Sequence, residues 1–301
     1  MGILDDLKME YRVGGIVQRL IFWNVGLFVV PMILFSILRL SGTDLPEWDW
    51  THRFAHGQDW FSLSSNPAHL LWKPWSILLY AFLHSGFLHL LFNMLMLHFS
   101  GRLFLTFFTQ KQLFGVYVLG GIFAGLLYIV SYSLLPALAG TQSGMTGASA
   151  AIMAILFAVT AYSPMYSVRM LLIGTVKLWH IAATLLVIDL IYVSVENTGG
   201  HIAHLGGALF GYLYILSLKN GTDISKGVSG IIGFFSNLFK PKKSTPFTAV
   251  HRNTAPSPRP SARPKDVTQK QIDDILDKIS KSGYDSLTSE EKEFLFRLQN
   301  K

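Results

Sequence analysis

Gly147-Ala148-Ser149-Ala150-Ala151-Ile152-Met153-Ala154-Ile155-Leu156-Phe157-Ala158-Val159-Thr160-Ala161-Tyr162 is an uncharged apolar run, and its reading decides the fold. From Ala148 to Tyr162 it supplies 15 residues. At about 1.5 Å per residue that is roughly 22 Å of helix, against a hydrocarbon core about 30 Å thick. Such a helix in a membrane cannot reach both faces, so its amino end must be buried in protein. The loop Gly140–Gly147 must then dip inward to meet it, which lipid tolerates only where the loop lines a protein-walled, wet cavity. Ser149 sits at that buried end.

The rest of the chain agrees with a membrane setting. Of 301 residues, 50% are hydrophobic and only 14% charged, against about 25% charged in soluble domains. Five further apolar segments accompany Ala148–Tyr162: Leu20–Leu38, Leu88–Phe108, Leu113–Leu135, Leu178–Val195 and His201–Leu218. Lys and Arg cluster before the first segment (Lys8, Arg12, Arg19) and after the second, fourth and sixth (Arg102 and Lys111, Arg169 and Lys177, Lys219 onward). By the positive-inside rule this places six spans with both termini cytoplasmic. The first apolar segment is too long for a cleaved signal peptide and no small-residue cleavage site follows it, so it reads as a signal anchor.

The expected fold is all-α, a polytopic six-helix bundle with a cytoplasmic helical-hairpin tail. The chain divides into a cytoplasmic segment 1–19, a six-helix body 20–218, an interfacial stretch and disordered linker 219–265, and a small helical domain 266–301. Within the body, the loop 41–87 is rich in Trp and reads as a cap at the outer surface. The linker is Pro-, Ser- and Arg-rich. In the tail, Ile272, Ile275, Leu276 and Ile279 recur at helical spacing, and Thr288 with Glu291 forms a capping box opening a second helix.

Composition also excludes chemistry. There is no Cys, which removes thiol nucleophiles, disulfides and Cys-ligated metals. Fifteen of the 25 Lys and Arg lie after Leu218, so the basic pI belongs to the tail beside the membrane body rather than to a nucleic-acid surface. No His-Glu-x-x-His is present. His201-x-x-His204 carries no acidic third ligand beside it in sequence, so neither a metal nor a cofactor is expected.

Ionisable and polar side chains inside spans are costly and point to function. Those present are His89, Asn93, His98, Ser149, Asp189, His201 and His204. Counted from the cytoplasmic end of each helix, His89, Ser149 and His204 lie 13, 13 and 14 residues up, a common level roughly 20 Å above the inner interface. Ala150, Ala154 and Ala158 run beside Ser149, and Ala203, Gly207 and Gly211 beside His204, at the spacing that lets helices approach closely in lipid. A serine hydroxyl brought against an imidazole becomes a nucleophile with its own base. Backbone N–H groups at the helix start, with His89 and Asn93 at i and i+4, are suited to a developing oxyanion. His98 and His201 read as packing residues, and Asp189 as a structural hydrogen-bonding residue, with a part in orienting His204 left open.

Three motifs resemble the rhomboid family of intramembrane serine proteases: His84-Ser-Gly-Phe-Leu-His89-Leu-Leu-Phe-Asn93, Gly147-Ala148-Ser149-Ala150, and Ala203-His204-Leu205-Gly206-Gly207-Ala208-Leu209-Phe210-Gly211. The resemblance covers residues 15 to 218. It implies Ser149 as nucleophile and His204 as base, a dyad without an acid, with His89, Asn93 and the Ser149 N–H at the oxyanion. It implies transmembrane-protein substrates, entered sideways and cut near the outer interface, and no cofactor. Three positions depart from the family pattern. Ala150 stands where many members have Gly, Met153 where some have a Tyr stacked on the base, and Ser76 where the family pairs Arg with Trp75. The tail resembles the carboxy-terminal extension of some bacterial rhomboids, which implies a bacterial inner membrane. Two other classes are distinguishable. A catalytically inactive rhomboid-like chaperone binding client helices would not react with a fluorophosphonate, and a transporter would show substrate-dependent flux and related halves, of which the sequence has no sign.

Overall fold

The structure, a computed structural model, describes residues 2–42, 60–170, 174–238 and 264–299. The central part of the Trp-rich cap loop, with Trp48 and Trp50, and most of the Pro/Ser/Arg linker lie outside the described residues. The chain forms two compact units, 1–240 and 241–301, and the described residues are mostly helical, at 74%.

In the first unit, α1 (Ile3–Val13) leads through Gly14–Gly15 into α2 (Ile16–Leu40). Short α3 (Ser76–Leu79) precedes α4 (Phe87–Phe104), α5 (Gln110–Leu134), α6 (Ser149–Tyr162), α7 (Leu178–Tyr192), α8 (Thr198–Lys219) and α9 (Lys226–Leu238). Among the described residues α2, α4, α5 and α8 are long and apolar enough to cross a membrane, while α6 and α7 are shorter apolar helices. With the chain's composition this makes the protein a polytopic helical membrane protein.

Burial grades these helices in a way their sequences explain. On α2 only Val17, Leu20, Asn24 and Phe28 are buried, one stripe at helical spacing, while Leu27, Val29, Val30, Ile33, Leu34 and Ile37 are apolar and exposed. That is the pattern of a helix packed on one side and turned to lipid on the others. By contrast α6 is buried almost throughout, from Ala150 to Leu156 and at Ala158 and Val159. The shortest of the six apolar helices is thus the central one. It packs most extensively on α8, then on α5 and α4.

Glycine permits that closeness. A β-carbon at Gly207 would run into the carbonyl oxygen of Ala150, and one at Gly211 into that of Ala154. A residue larger than Gly at either position would force α6 and α8 apart.

Several helix ends differ from the segments drawn from hydropathy. The second segment leaves the α-helix at Phe104, because Leu105–Phe108 tightens into turns and Thr109 caps the next helix through a box with Gln112 (2.9 and 3.3 Å). The fifth stops at Tyr192 rather than Val195, and the sixth begins one turn early, at Thr198, after Asn197 in a left-handed conformation (φ 46°).

Two antiparallel pairs complete the unit. Leu63–Ser64 (β1) pairs with Gly144–Met145 (β2), tying the loop before α6 to the segment after the cap. Ser167–Met170 (β3) pairs with Gly174–Lys177 (β4) between α6 and α7. Hydrogen bonds from Tyr117 Oη to the Ala81 carbonyl (2.6 Å) and from Tyr80 Oη to the Gly121 carbonyl (2.6 Å) pin the approach to α4 against α5.

The second unit holds α10 (Pro264–Ser282), which begins inside the stretch expected to be linker, and α11 (Ser289–Gln299). Thr288 and Glu291 make the reciprocal capping bonds (2.7 and 3.3 Å), and Glu291 also pairs with Lys278 of α10 at 2.9 Å. Ile275 and Leu287 are its buried apolar contacts.

Candidate active site

Ser149 is the first residue of α6, so its backbone N–H has no partner within its own helix. The chain reaches it through Gly147, whose φ of +128° suits glycine; a β-carbon there would stand 2.8 Å from His89 Nε2. The Gly147 N–H donates to the Tyr80 carbonyl at 2.9 Å. The loop is therefore fixed from both sides, by β1 and by Tyr80, and Met145, Gly147 and Ala148 are buried.

From α8, His204 directs Nε2 to the Ser149 hydroxyl at 2.7 Å. Its Nδ1 lies 2.8 Å from Asp189 Oδ1 of α7, and the same oxygen lies 2.7 Å from Nδ1 of His201. The side chains of Asp189, His201 and His204 are 7%, 14% and 24% exposed. The rings of His201 and His204 meet edge to face at 5.8 Å, and Tyr192 stacks on His201 at 6.0 Å.

This corrects one reading of the sequence. No acidic residue stands directly beside His201-x-x-His204 along the chain, and it is not the nearest one, Glu196, but Asp189 that α7 brings to both rings. The ligand atoms of the three residues lie within 4.8 Å of one another, a cluster able to hold a metal ion. In the structure these atoms are one another's hydrogen-bond partners. Asp189 touches His204 directly, and His201 is more than a packing residue. Neither contact is readable from one helix at a time.

On α4, His89 Nδ1 receives the Ser85 backbone N–H at 3.4 Å and lies 3.0 Å from the Ser85 hydroxyl. Its Nε2 lies beside Gly147. Asn93, one turn on, donates from Nδ2 to the His89 carbonyl at 2.8 Å. Both line a cavity of about 660 Å³ together with Ser149, Met153, Asp189 and His204. His98 is exposed and lines a different cavity, near α1. Met153, which stands where some rhomboids have a stacking Tyr, lines the wall, and the ring partner of His204 is His201. Trp75 donates its indole N–H to the Trp60 carbonyl at 2.7 Å and stacks on that ring, while Ser76 beside it is buried.

His84, in the loop before α4, is fully buried with its ring edge-on to His89 at 5.1 Å. Burial, and secondarily the neighbouring His89, push its pKa down to about 3, so it is neutral.

Fold and site together define a helical membrane protein that places a serine hydroxyl on an imidazole at the buried start of a short helix. Residues 71–220 match the family model described as Rhomboid domain, and the chain belongs to the rhomboid family. Residues 263–301 match a second model, a family of unknown function, DUF6576. No curated protein and no solved structure matches the chain.

Proposed function

We propose that this rhomboid-family protein is an intramembrane serine endopeptidase that cleaves transmembrane segments of membrane proteins. The observation that carries the reading is the 2.7 Å contact between Ser149 Oγ and His204 Nε2. Ser149 attacks the scissile carbonyl while its proton passes to His204. The developing oxyanion meets the Ser149 backbone N–H, His89 Nε2–H and the Asn93 amide. His204 then protonates the departing amine, and water, activated by the same imidazole, releases the acyl group.

The reading extends to placement. Basic residues flanking alternate helices support cytoplasmic termini, with the cavity toward the outer leaflet. The resemblance of the tail to that of some bacterial rhomboids supports a bacterial inner membrane. We take residues 20–218 as the protease body, 219–265 as interfacial stretch and linker, and 266–301 as a separate helical domain.

The deciding experiment is fluorophosphonate labelling of the full chain in detergent, alongside cleavage of a model transmembrane substrate. Wild type is expected to label and cleave, whereas Ser149→Ala and His204→Ala do neither. Cleavage that persists in Ser149→Ala, or a wild type inert in both assays, overturns the reading, and the inert outcome leaves a helix-binding chaperone.

A further inference from the structure

Asp189 is the single acidic residue in the six apolar helices α2 and α4 to α8. A buried carboxylate in a membrane helix is costly unless it is hydrogen-bonded. A structural bridge from α7 to α8 needs one donor, and His201 supplies it at 2.7 Å. Yet Oδ1 takes a second imidazole at 2.8 Å, and that imidazole is the one whose opposite nitrogen faces the Ser149 hydroxyl. A carboxylate oxygen only accepts, so both Nδ1 atoms must carry protons. The neutral His204 ring then has its lone pair on Nε2, toward Ser149.

Resting on the protease reading above, we infer that Asp189 is a positioning residue for His204, making a Ser149–His204–Asp189 triad in place of a dyad, with His201 bracing the carboxylate. Asp189 keeps His204 in the tautomer that accepts the serine proton. When that proton moves from Ser149 Oγ to Nε2, the imidazolium formed lies against a carboxylate that stays ionised throughout. The proton then leaves from Nε2 to the amine of the departing chain, and Asp189 neither gains nor loses one. His201 donates to the same oxygen, so the carboxylate cannot swing away without breaking two bonds. This hold also explains how His204 is steadied beside Met153, which offers no aromatic face: the ring is fixed at its edge by Asp189 and His201.

The test is Asp189→Asn in the full chain, whose amide fits the same volume and presents an N–H where the carboxylate accepted. For a model transmembrane substrate we expect kcat to fall by about 10²–10⁴-fold with KM changed by less than about threefold. Histidine labelled with a heavy nitrogen isotope reads the tautomer directly by NMR, with His204 assigned by the signal lost in His204→Ala. Wild type should show a protonated Nδ1 and a bare Nε2, and the Asn variant a shift toward the opposite form. The inference is overturned if kcat stays within about threefold of wild type, if the tautomer is unchanged, or if kcat, KM and thermal midpoint all deteriorate together, as expected of a mere brace between helices. Ser149→Ala is measured alongside. Should it still cleave, the serine mechanism fails while the tautomer measurement still judges Asp189 separately.

Discussion

His89 and His204 present the same ring nitrogen, Nε2, to one cavity with opposite hydrogen-bonding character. At His89 the Ser85 backbone N–H occupies Nδ1, which must accept, so the ring's proton is on Nε2 beside Gly147. At His204 a carboxylate lies at Nδ1, which must donate, so a ring carrying one proton offers Nε2 as acceptor toward Ser149. The donor is thus set where an oxyanion would form and the acceptor where a hydroxyl proton would leave. Partners on the far side of each ring, Ser85 and Asp189, make the difference.

His89→Ala and Asn93→Ala are expected to lower kcat by roughly 10²–10³-fold each, as for loss of one oxyanion donor, with little change in KM. Steady-state cleavage of a model transmembrane substrate measures this. A rise in KM at constant kcat would assign both residues to substrate binding instead.

Gly147→Ala adds a β-carbon 2.8 Å from His89 Nε2 at a φ of +128°. Strain of about 1–3 kcal/mol and a displaced His89 should follow. The expected outcome is a lower thermal midpoint together with at least about tenfold slower fluorophosphonate labelling. A variant that labels at the wild-type rate would show that this loop adapts.

Gly207→Ala sets a methyl against the Ala150 carbonyl one residue from Ser149. Overpacking of this kind costs about 1–3 kcal/mol, and separating α6 from α8 lengthens the contact between Ser149 and His204. Both thermal stability and cleavage should fall. The paired change Ala203→Gly, one turn earlier on α8, should restore neither, since it relieves no contact at Ala150.

His84 gives a pH dependence of stability. Its folded pKa, about 3, lies below the ordinary value near 6.5. Between those limits the unfolded chain binds a proton that the folded chain refuses. Its contribution is therefore complete above about pH 6.5 and is lost as the pH falls toward 3, at up to about 1.4 kcal/mol per unit. Thermal midpoints of His84→Gln and wild type, compared from pH 7 to 4, should show the flatter curve for the variant. Parallel curves would mean that His84 takes up its proton in the folded protein.

Hydropathy and charge along the chain determined the membrane setting, the helical class and the approximate helices, because lipid permits only segments that satisfy their own backbone. They also determined that Ala148–Tyr162 is too short to cross alone, since helix length follows directly from residue number. Spacing placed Ser149, His89 and His204 at one depth. Rise along an axis is local information, whereas the rotation and packing of one helix against another are not. Only the tertiary structure could turn Asp189 of α7 toward two rings of α8, set Ser85 behind His89, and exchange a stacking Tyr at Met153 for the edge of His201. The Asp189 contacts join side chains from different helices and depend on how those helices pack, whereas Ser85 with His89 and His201 with His204 are near neighbours in the chain whose ring orientations are set by the packing around them. Helix ends at Phe104, Tyr192 and Thr198 likewise depended on turn and capping bonds that hydropathy does not register.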